Sequence, residues 1–265
     1  MKSVLALDLD QTLIYSARSA EPLAGVATVW VEDYLGQPLS LMTVQAVDLL
    51  AALASRHHVV PVTTRTPEQF GRVRLPGPQP YAICANGGIL LRQGIRDGAW
   101  DARVAAELGA ALPADEVVSR VAEVAGEPWV RTVRQVEQLF VYLVAQERAA
   151  IPAQWLDELT AWAGSYGWAV SVQGRKVYVV PLMLSKGAAA VRVAELLGGP
   201  LLAAGDSLLD RSLLEEAWAA ARPAHGELHA LGYDRPELFV STTPGARAAE
   251  EILGYLGDRA DAVTG

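Results

Sequence analysis

Two aspartates near the start of the chain carry the first chemical signal. In Val4-Leu5-Ala6-Leu7-Asp8-Leu9-Asp10-Gln11-Thr12, an apolar run delivers Asp8 and Asp10 to the end of a predicted strand. Alternation along a regular strand turns both carboxylates to one side. One member of such a pair can attack while the other handles protons, and their oxygens suit a hard metal ion. A second apolar run, Leu201–Ala204, ends in Gly205-Asp206-Ser207-Leu208-Leu209-Asp210, placing another carboxylate one helical turn further on. Asp8, Asp206 and the backbone carbonyl of Asp10 offer a partial oxygen shell for Mg²⁺. Ser185-Lys186-Gly187 opens a predicted helix, where an ammonium and a helix N-terminus together attract an anion. Thr63 ends a further strand with a hydroxyl suited to a phosphoryl oxygen. Each residue also has a plainer reading: a strand-ending turn, a helix cap, a solvated lysine, a turn-satisfying threonine.

The elements that would position these residues follow an α/β rhythm. Short apolar runs at Ser3–Asp8, Val59–Val62, Tyr81–Ala85, Leu201–Ala204, Ala217–Ala221 and Leu238–Val240 alternate with helical patterns. Alternation of this kind predicts a parallel, helix-covered sheet. Pro61 weakens the second strand, because it lacks a ladder donor. Thr43 is placed to cap a helix whose apolar face runs through Val44, Val47, Leu50, Ala51 and Ala54. Ser185 caps another, and a last helix runs from about Gly245 to Leu256. Between Leu13 and Ser40 the chain is irregular, and Thr28-Val29-Trp30-Val31 there reads as part of a hairpin flap.

The middle of the chain differs. Helical patterns at Asp101–Leu112 and Asp115–Ala125 precede apolar runs Trp129–Arg134 and Leu139–Ala145, then a helix at Ala153–Ala163. Runs Trp168–Val172 and Lys176–Val180 follow, with Gly174-Arg175 between them. The expected architecture is α/β: a Rossmann-like parallel core from residues 1–91 and 183–265, with a smaller inserted α/β cap at 92–182. Hinges are expected near Leu90–Gly94 and Pro181–Leu184.

Composition narrows the partners. The 265 residues are 51% hydrophobic and 20% charged, as in a globular protein with a sizeable core. A net charge of −8 argues against a nucleic-acid surface, which needs a basic footprint. A single cysteine, Cys84, excludes an internal disulfide framework and a zinc cluster. The N-terminal apolar run is too short for a signal peptide, and no run is long enough to span a membrane. A cytoplasmic protein with a small-molecule partner is expected, its oligomeric state open.

The four blocks at Asp8/Asp10, Thr63, Lys186 and Asp206/Asp210 resemble, in order along nearly the whole chain, the motif set of the haloacid dehalogenase-like phosphohydrolases. An insertion flanked by Asn86-Gly87-Gly88 and Ser185-Lys186-Gly187 is similar to the Cof-like, sucrose-phosphatase-like and mannosyl-phosphoglycerate-phosphatase branch. The resemblance implies a Mg²⁺-dependent phosphomonoesterase acting on a small phosphorylated metabolite, most naturally a sugar phosphate. By motif, Asp8 becomes the nucleophile that forms an aspartyl-phosphate, and Asp10 the acid and then the base. Thr63 and Lys186 bind the phosphoryl group. Asp8, Asp10 and Asp206 hold the metal, with Asp210 orienting that site. Arg65, Asn86 and Arg175 are candidate substrate contacts.

Three departures from the family pattern stand out: Gln11 and Thr64 replace common glycines, and Leu209 replaces a common asparagine. They bear on rate and metal affinity and leave the carboxylates in place. Two other functions stay open on the sequence alone, a phosphosugar mutase and a non-catalytic phospholigand-binding protein. Trp129 and Trp168 are expected in the core of the cap. None of the four histidines is assigned a catalytic part.

Overall fold

A strand with no polar residue belongs where both sheet faces are covered. Val4–Leu7 (β1) is such a strand, buried throughout, in the computed structural model, which describes residues 1–264. The chain then forms an antiparallel hairpin of β2 (Thr28–Tyr34) and β3 (Gln37–Thr43). Its two-residue turn, Leu35-Gly36, has positive φ at both positions, 53° and 74°, the conformation whose twist matches a hairpin. Thr43 caps α1 (Val44–Arg56) by accepting the Ala46 N–H at 3.1 Å. Next come β4 (His58–Pro61), α2 (Pro67–Phe70), β5 (Tyr81–Cys84), β6 (Ile89–Arg92) and β7 (Ile95–Arg96). A middle stretch contains α3 (Gly98–Leu108), α4 (Ala114–Ala122), β8 (Val130–Val136), β9 (Phe140–Ala145), α5 (Ala153–Ser165), β10 (Trp168–Gln173) and β11 (Lys176–Pro181). The chain closes with α6 (Lys186–Leu197), β12 (Leu201–Ala204), α7 (Arg211–Glu216), β13 (Ala219–Arg222), α8 (Gly226–Ala230), β14 (Leu238–Val240) and α9 (Arg247–Thr264).

The chain divides into two compact units, Met1–Asp97 with the chain from Ser185 onward, and Gly98–Leu184. In the first, five parallel strands lie in the order β14-β13-β12-β1-β4. From β1 the chain moves to one side to make β4 and later to the other to make β12. A reversal of that kind leaves a ligand-binding crevice at the carboxyl ends of the strands. Leu5, Leu7, Leu202, Ala204, Ala219 and Ala221 share one core cluster with Leu50 and Leu53 of α1 and Ile252, Leu253 and Leu256 of α9. Truncating one such leucine to alanine costs about 2–5 kcal/mol, enough to loosen the strand ends it supports. Alternate residues Val4, Ala6 and Ala203 point the other way and are equally buried.

The second unit has its own four-stranded antiparallel sheet, ordered β10-β11-β9-β8. Trp168, 2% exposed, donates its indole N–H to the Leu112 carbonyl at 3.1 Å, and Trp129 meets Trp155 edge-on. Both tryptophans are therefore packed against partners within this unit.

The structure adjusts several expectations. The first junction falls at 97/98 rather than 91/92, and the second at 184/185 rather than 182/183. Leu90–Gly94, expected as a hinge, belongs to the β6–β7 hairpin, and β6 pairs antiparallel with β5 in a separate three-stranded sheet. Pro61 is tolerated because β4 is at the edge of the parallel sheet. The short helices α2, α7 and α8 have too few residues to show a period in sequence. Among the described residues, no helix is long and apolar enough to cross a membrane.

Candidate active site

Strand register brings the sequence-predicted residues together. Leu7 pairs with Pro61 on one side and Ala204 on the other, so β1, β4 and β12 end level. Asp8, Thr63 and Asp206 therefore emerge from the same carboxyl edge. Backbone bonds extend the ladder past the strand ends: Asp8 N–H donates to Ala204 and Val62 N–H to Leu7, at 3.0 and 2.8 Å.

Lys186 enters this edge from the first turn of α6, which Ser185 caps by accepting the Ala188 N–H. Its ammonium is 1% exposed and donates to Asp8 Oδ1 and Asp210 Oδ1, both at 2.6 Å. Burial opposes the charge on Lys186, but Asp210 and Asp8 outweigh it and hold its pKa above the ordinary value. Asp8 fares differently. Burial, followed by repulsion from Asp210, pushes its carboxyl up to about 7 in spite of Lys186. Burial and then Asp8 and Asp210 hold Asp206 well above the usual carboxylate range. Three buried carboxylates thus share one buried ammonium, and the cluster is short of positive charge.

Asp210 is saturated by protein groups. Its Oδ1 takes Lys186, while Oδ2 accepts from Asp206 N–H, Ser207 N–H and the Ser207 hydroxyl at 3.2, 2.9 and 2.6 Å. The Asp206 carboxylate, only 4% exposed as a residue, accepts no hydrogen bond from the described residues. Carboxylate oxygens of Asp8, Asp206 and Asp210 all lie within 4.8 Å of one another. All are hard oxygen donors, a set that suits a hard divalent cation rather than a softer ion. An under-neutralised cluster with an unused buried carboxylate fits a divalent cation. Backbone packs closely behind it: a Cβ on Gly226, whose φ is +84°, would lie 2.6 Å from Asp206 Oδ2. A side chain at 226 would push that carboxylate aside.

Thr63 is 1% exposed. Its Oγ1 accepts the Arg65 N–H at 3.1 Å, and its own O–H donates to nothing among the described residues, leaving a donor for a ligand. Asn86 is buried with φ 58°, and its N–H donates to the Thr63 carbonyl at 2.9 Å, fixing the loop behind Thr63. Thr64 does not have positive φ, so the common glycine is not needed there.

Arg65, expected as a substrate contact, pairs with two carboxylates of the protein. Its guanidinium grips Asp10 at Oδ2 and Oδ1, both at 2.8 Å, and Glu32 at Oε1 and Oε2, at 2.8 and 3.0 Å. It is a bridge between two carboxylates, and Asp10 is half exposed at its far end. Arg175 sits in the second unit, where it donates to the Gln146 carbonyl at 3.2 Å. Cys84 is fully buried, and burial pushes its thiol up to about 12, in keeping with an inert core residue.

Sequence reasoning missed two residues. Glu32 is one. The other is His225, whose Nδ1 accepts the Gly245 N–H at 3.1 Å, so that Nε2 carries the proton and donates to the Gln11 carbonyl at 2.8 Å. Gln11 has φ 63°, a left-handed conformation that a glycine would take freely. His225 therefore holds in place the strained residue that follows Asp10. No local pattern marks a histidine more than two hundred positions away.

No protein-family model matches the chain, and no curated protein matches it. Solved structures do. The sucrose-phosphatase of Synechocystis sp. PCC6803, in complex with sucrose and phosphate, has a TM-score of 0.66 at 16% identity, over 97% of this chain and 99% of that one. A HAD subclass IIB sugar phosphatase has a TM-score of 0.60 at 12% identity, over 97% and 99% of the two chains. The C-terminal domain of trehalose-6-phosphate phosphatase from C. albicans gives 0.58 at 14%, over 97% and 92%. The chain has the fold of these proteins, a parallel α/β core with a second α/β unit, as its motifs anticipated.

Proposed function

We propose that this chain is a divalent-metal-dependent phosphomonoester hydrolase acting through an aspartyl-phosphate on Asp8. The observation that carries the reading is the buried Asp8–Lys186–Asp210 cluster beside an Asp206 carboxylate that accepts no hydrogen bond from the described residues. Similarity in fold to sucrose- and trehalose-6-phosphate phosphatases supports a sugar phosphate as the substrate class. Phosphoryl transfer asks mainly for positioning and charge neutralisation, which this arrangement is built to give.

In this reading Asp8 attacks phosphorus in line with the ester oxygen. The bond from phosphorus to that oxygen breaks with its electron pair, and Asp10 supplies the proton to the departing alcohol. Asp10 then takes a proton from water, which attacks phosphorus and frees Asp8 as phosphate leaves. Lys186 keeps Asp8 oriented and offsets charge as the phosphoryl group approaches. The Thr63 hydroxyl donates to a phosphoryl oxygen. Mg²⁺, held by Asp8, Asp206 and the Asp10 backbone carbonyl with Asp210 steadying Asp206, would neutralise phosphoryl charge when bound.

The test is phosphate release across a panel of phosphorylated metabolites, with Mg²⁺ or EDTA, for the wild type and Asp8→Asn. Release that needs Mg²⁺ and is lost in the variant is expected. Release that persists in Asp8→Asn would overturn the reading.

A further inference from the structure

Glu32 is an unusual residue to find buried. It lies on β2, where the hairpin register slips between Trp30 and Glu32 and again between Glu32 and Asp33. A bulge re-aims side chains, and here Val31 and Glu32, adjacent in sequence, are both buried, at 4% and 1% exposure. The Glu32 carboxylate is fully engaged. Across the hairpin the Ser40 hydroxyl donates to Oε2 at 2.6 Å, Arg65 donates to both oxygens, and Arg72 approaches Oε1 at 3.4 Å. Burial pushes its carboxyl up, but the bonds from Arg65 and Ser40 outweigh that and hold it below the usual value. The backbone is tied as well: Arg74 N–H donates to the Val31 carbonyl at 2.7 Å, and Glu32 bridges Val73.

This network has a direction. Ser40 and Arg72 fix Glu32, Glu32 fixes one edge of the Arg65 guanidinium, and the other edge holds both oxygens of Asp10. A planar guanidinium bound side-on to two carboxylates has little rotational freedom left. Asp10 itself is half exposed, and Arg65 holds both of its oxygens. Its carboxylate is oriented by a chain of contacts that begins in the β2–β3 hairpin.

We propose that Glu32 is a positioning residue for Asp10, acting through Arg65 to aim the carboxylate that exchanges protons with the leaving group and with water. The inference rests on the phosphatase reading above. It assigns the hairpin a part in the acid–base step, with Glu32, buried among Ser40, Arg65 and Arg72, acting only through Arg65.

Leaving groups separate this role from a structural one. An alkyl alcohol needs a proton as it departs, whereas p-nitrophenolate does not, and kcat/KM reports the steps up to departure. Wild type, Glu32→Gln and Asp10→Asn are compared on p-nitrophenyl phosphate and on the alkyl phosphomonoester that the wild type hydrolyses best in the panel. Glu32→Gln is expected to lower the alkyl-to-aryl ratio of kcat/KM by about tenfold, a fraction of the full general-acid effect, and Asp10→Asn by more. The ratio is independent of how much of a variant preparation is folded. Glu32→Asp, which keeps the charge but shortens the reach, is expected to fall between Glu32→Gln and wild type. An unchanged ratio in Glu32→Gln, whether both activities stay or both fall together, would overturn the proposal. Absence of any alkyl phosphate hydrolysis by the wild type would instead sink the phosphatase reading beneath it.

Discussion

Asp8 and Asp10 are the same residue type two positions apart, and they occupy opposite surroundings. Asp8 is buried against Lys186 with two further carboxylates nearby, and burial pushes its carboxyl up to about 7. Asp10 is half exposed and held by the guanidinium of Arg65. Environment thus distinguishes identical groups, and in the proposed mechanism one reacts at phosphorus while the other exchanges protons with water and alcohol. The buried region is made by strand register and the N-terminus of α6. The outer one is made by the hairpin and His225, which brace Arg65 and Gln11.

The sharpest way to break the comparison is to exchange carboxylate for amide at each position. Asp8→Asn removes the proposed nucleophile, and kcat/KM should fall about 10⁴-fold or more on every substrate, measured by phosphate release. Its unfolding midpoint without metal should not drop, because the variant removes one of three mutually repelling buried carboxylates. Asp10→Asn should spare p-nitrophenyl phosphate far more than alkyl phosphates. Equal losses on both would erase the proposed division.

Lys186→Met tests the buried region alone. Removing the ammonium leaves Asp8 and Asp210 facing one another without compensation, and breaking a buried ion pair costs about 3–5 kcal/mol. Urea unfolding should show that loss, with Mg²⁺ restoring part of it. A variant as stable as wild type in EDTA would show that the carboxylates are neutral there.

A smaller effect belongs to the outer region. His225 has its pKa lowered from 6.5 chiefly by burial, against the hydrogen bond it donates to the Gln11 carbonyl, which raises it. The unfolded chain therefore binds a proton on this ring more readily than the folded one. The stability that the neutral ring contributes is present above about pH 6.5 and is lost as pH falls below it. Between pH 7.5 and 5.5, the unfolding midpoint of His225→Gln should fall by about 2 °C less than that of wild type. Equal slopes would mean that His225 is not the titrating group.

The contrast also explains what the sequence disclosed. Asp8, Asp10, Asp206 and Asp210 were legible because strand ends and the turns that follow them are local patterns. Lys186 was legible because a capped helix start is one too. The parallel order of the core followed from the α/β rhythm, and the hairpin from its β-branched and aromatic residues. Glu32 was not legible, because a bulge turns inward a residue that strict alternation with Val31 would turn out. His225 was hidden for another reason: its partners, Gln11 and Gly245, meet it only in the folded chain. Arg65 was visible as a charge beside a motif, but its carboxylate partners were not.

The central claim is that Asp8 is the atom donor to phosphorus, and the most direct measurement is to catch the bond it forms. Protein mixed with substrate and Mg²⁺, quenched in acid and digested, is expected to show a phosphoryl adduct on the peptide containing Asp8, absent from Asp8→Asn and removed by hydroxylamine. Phosphate release at full rate with no adduct on that peptide, and with activity kept in Asp8→Asn, would contradict the account.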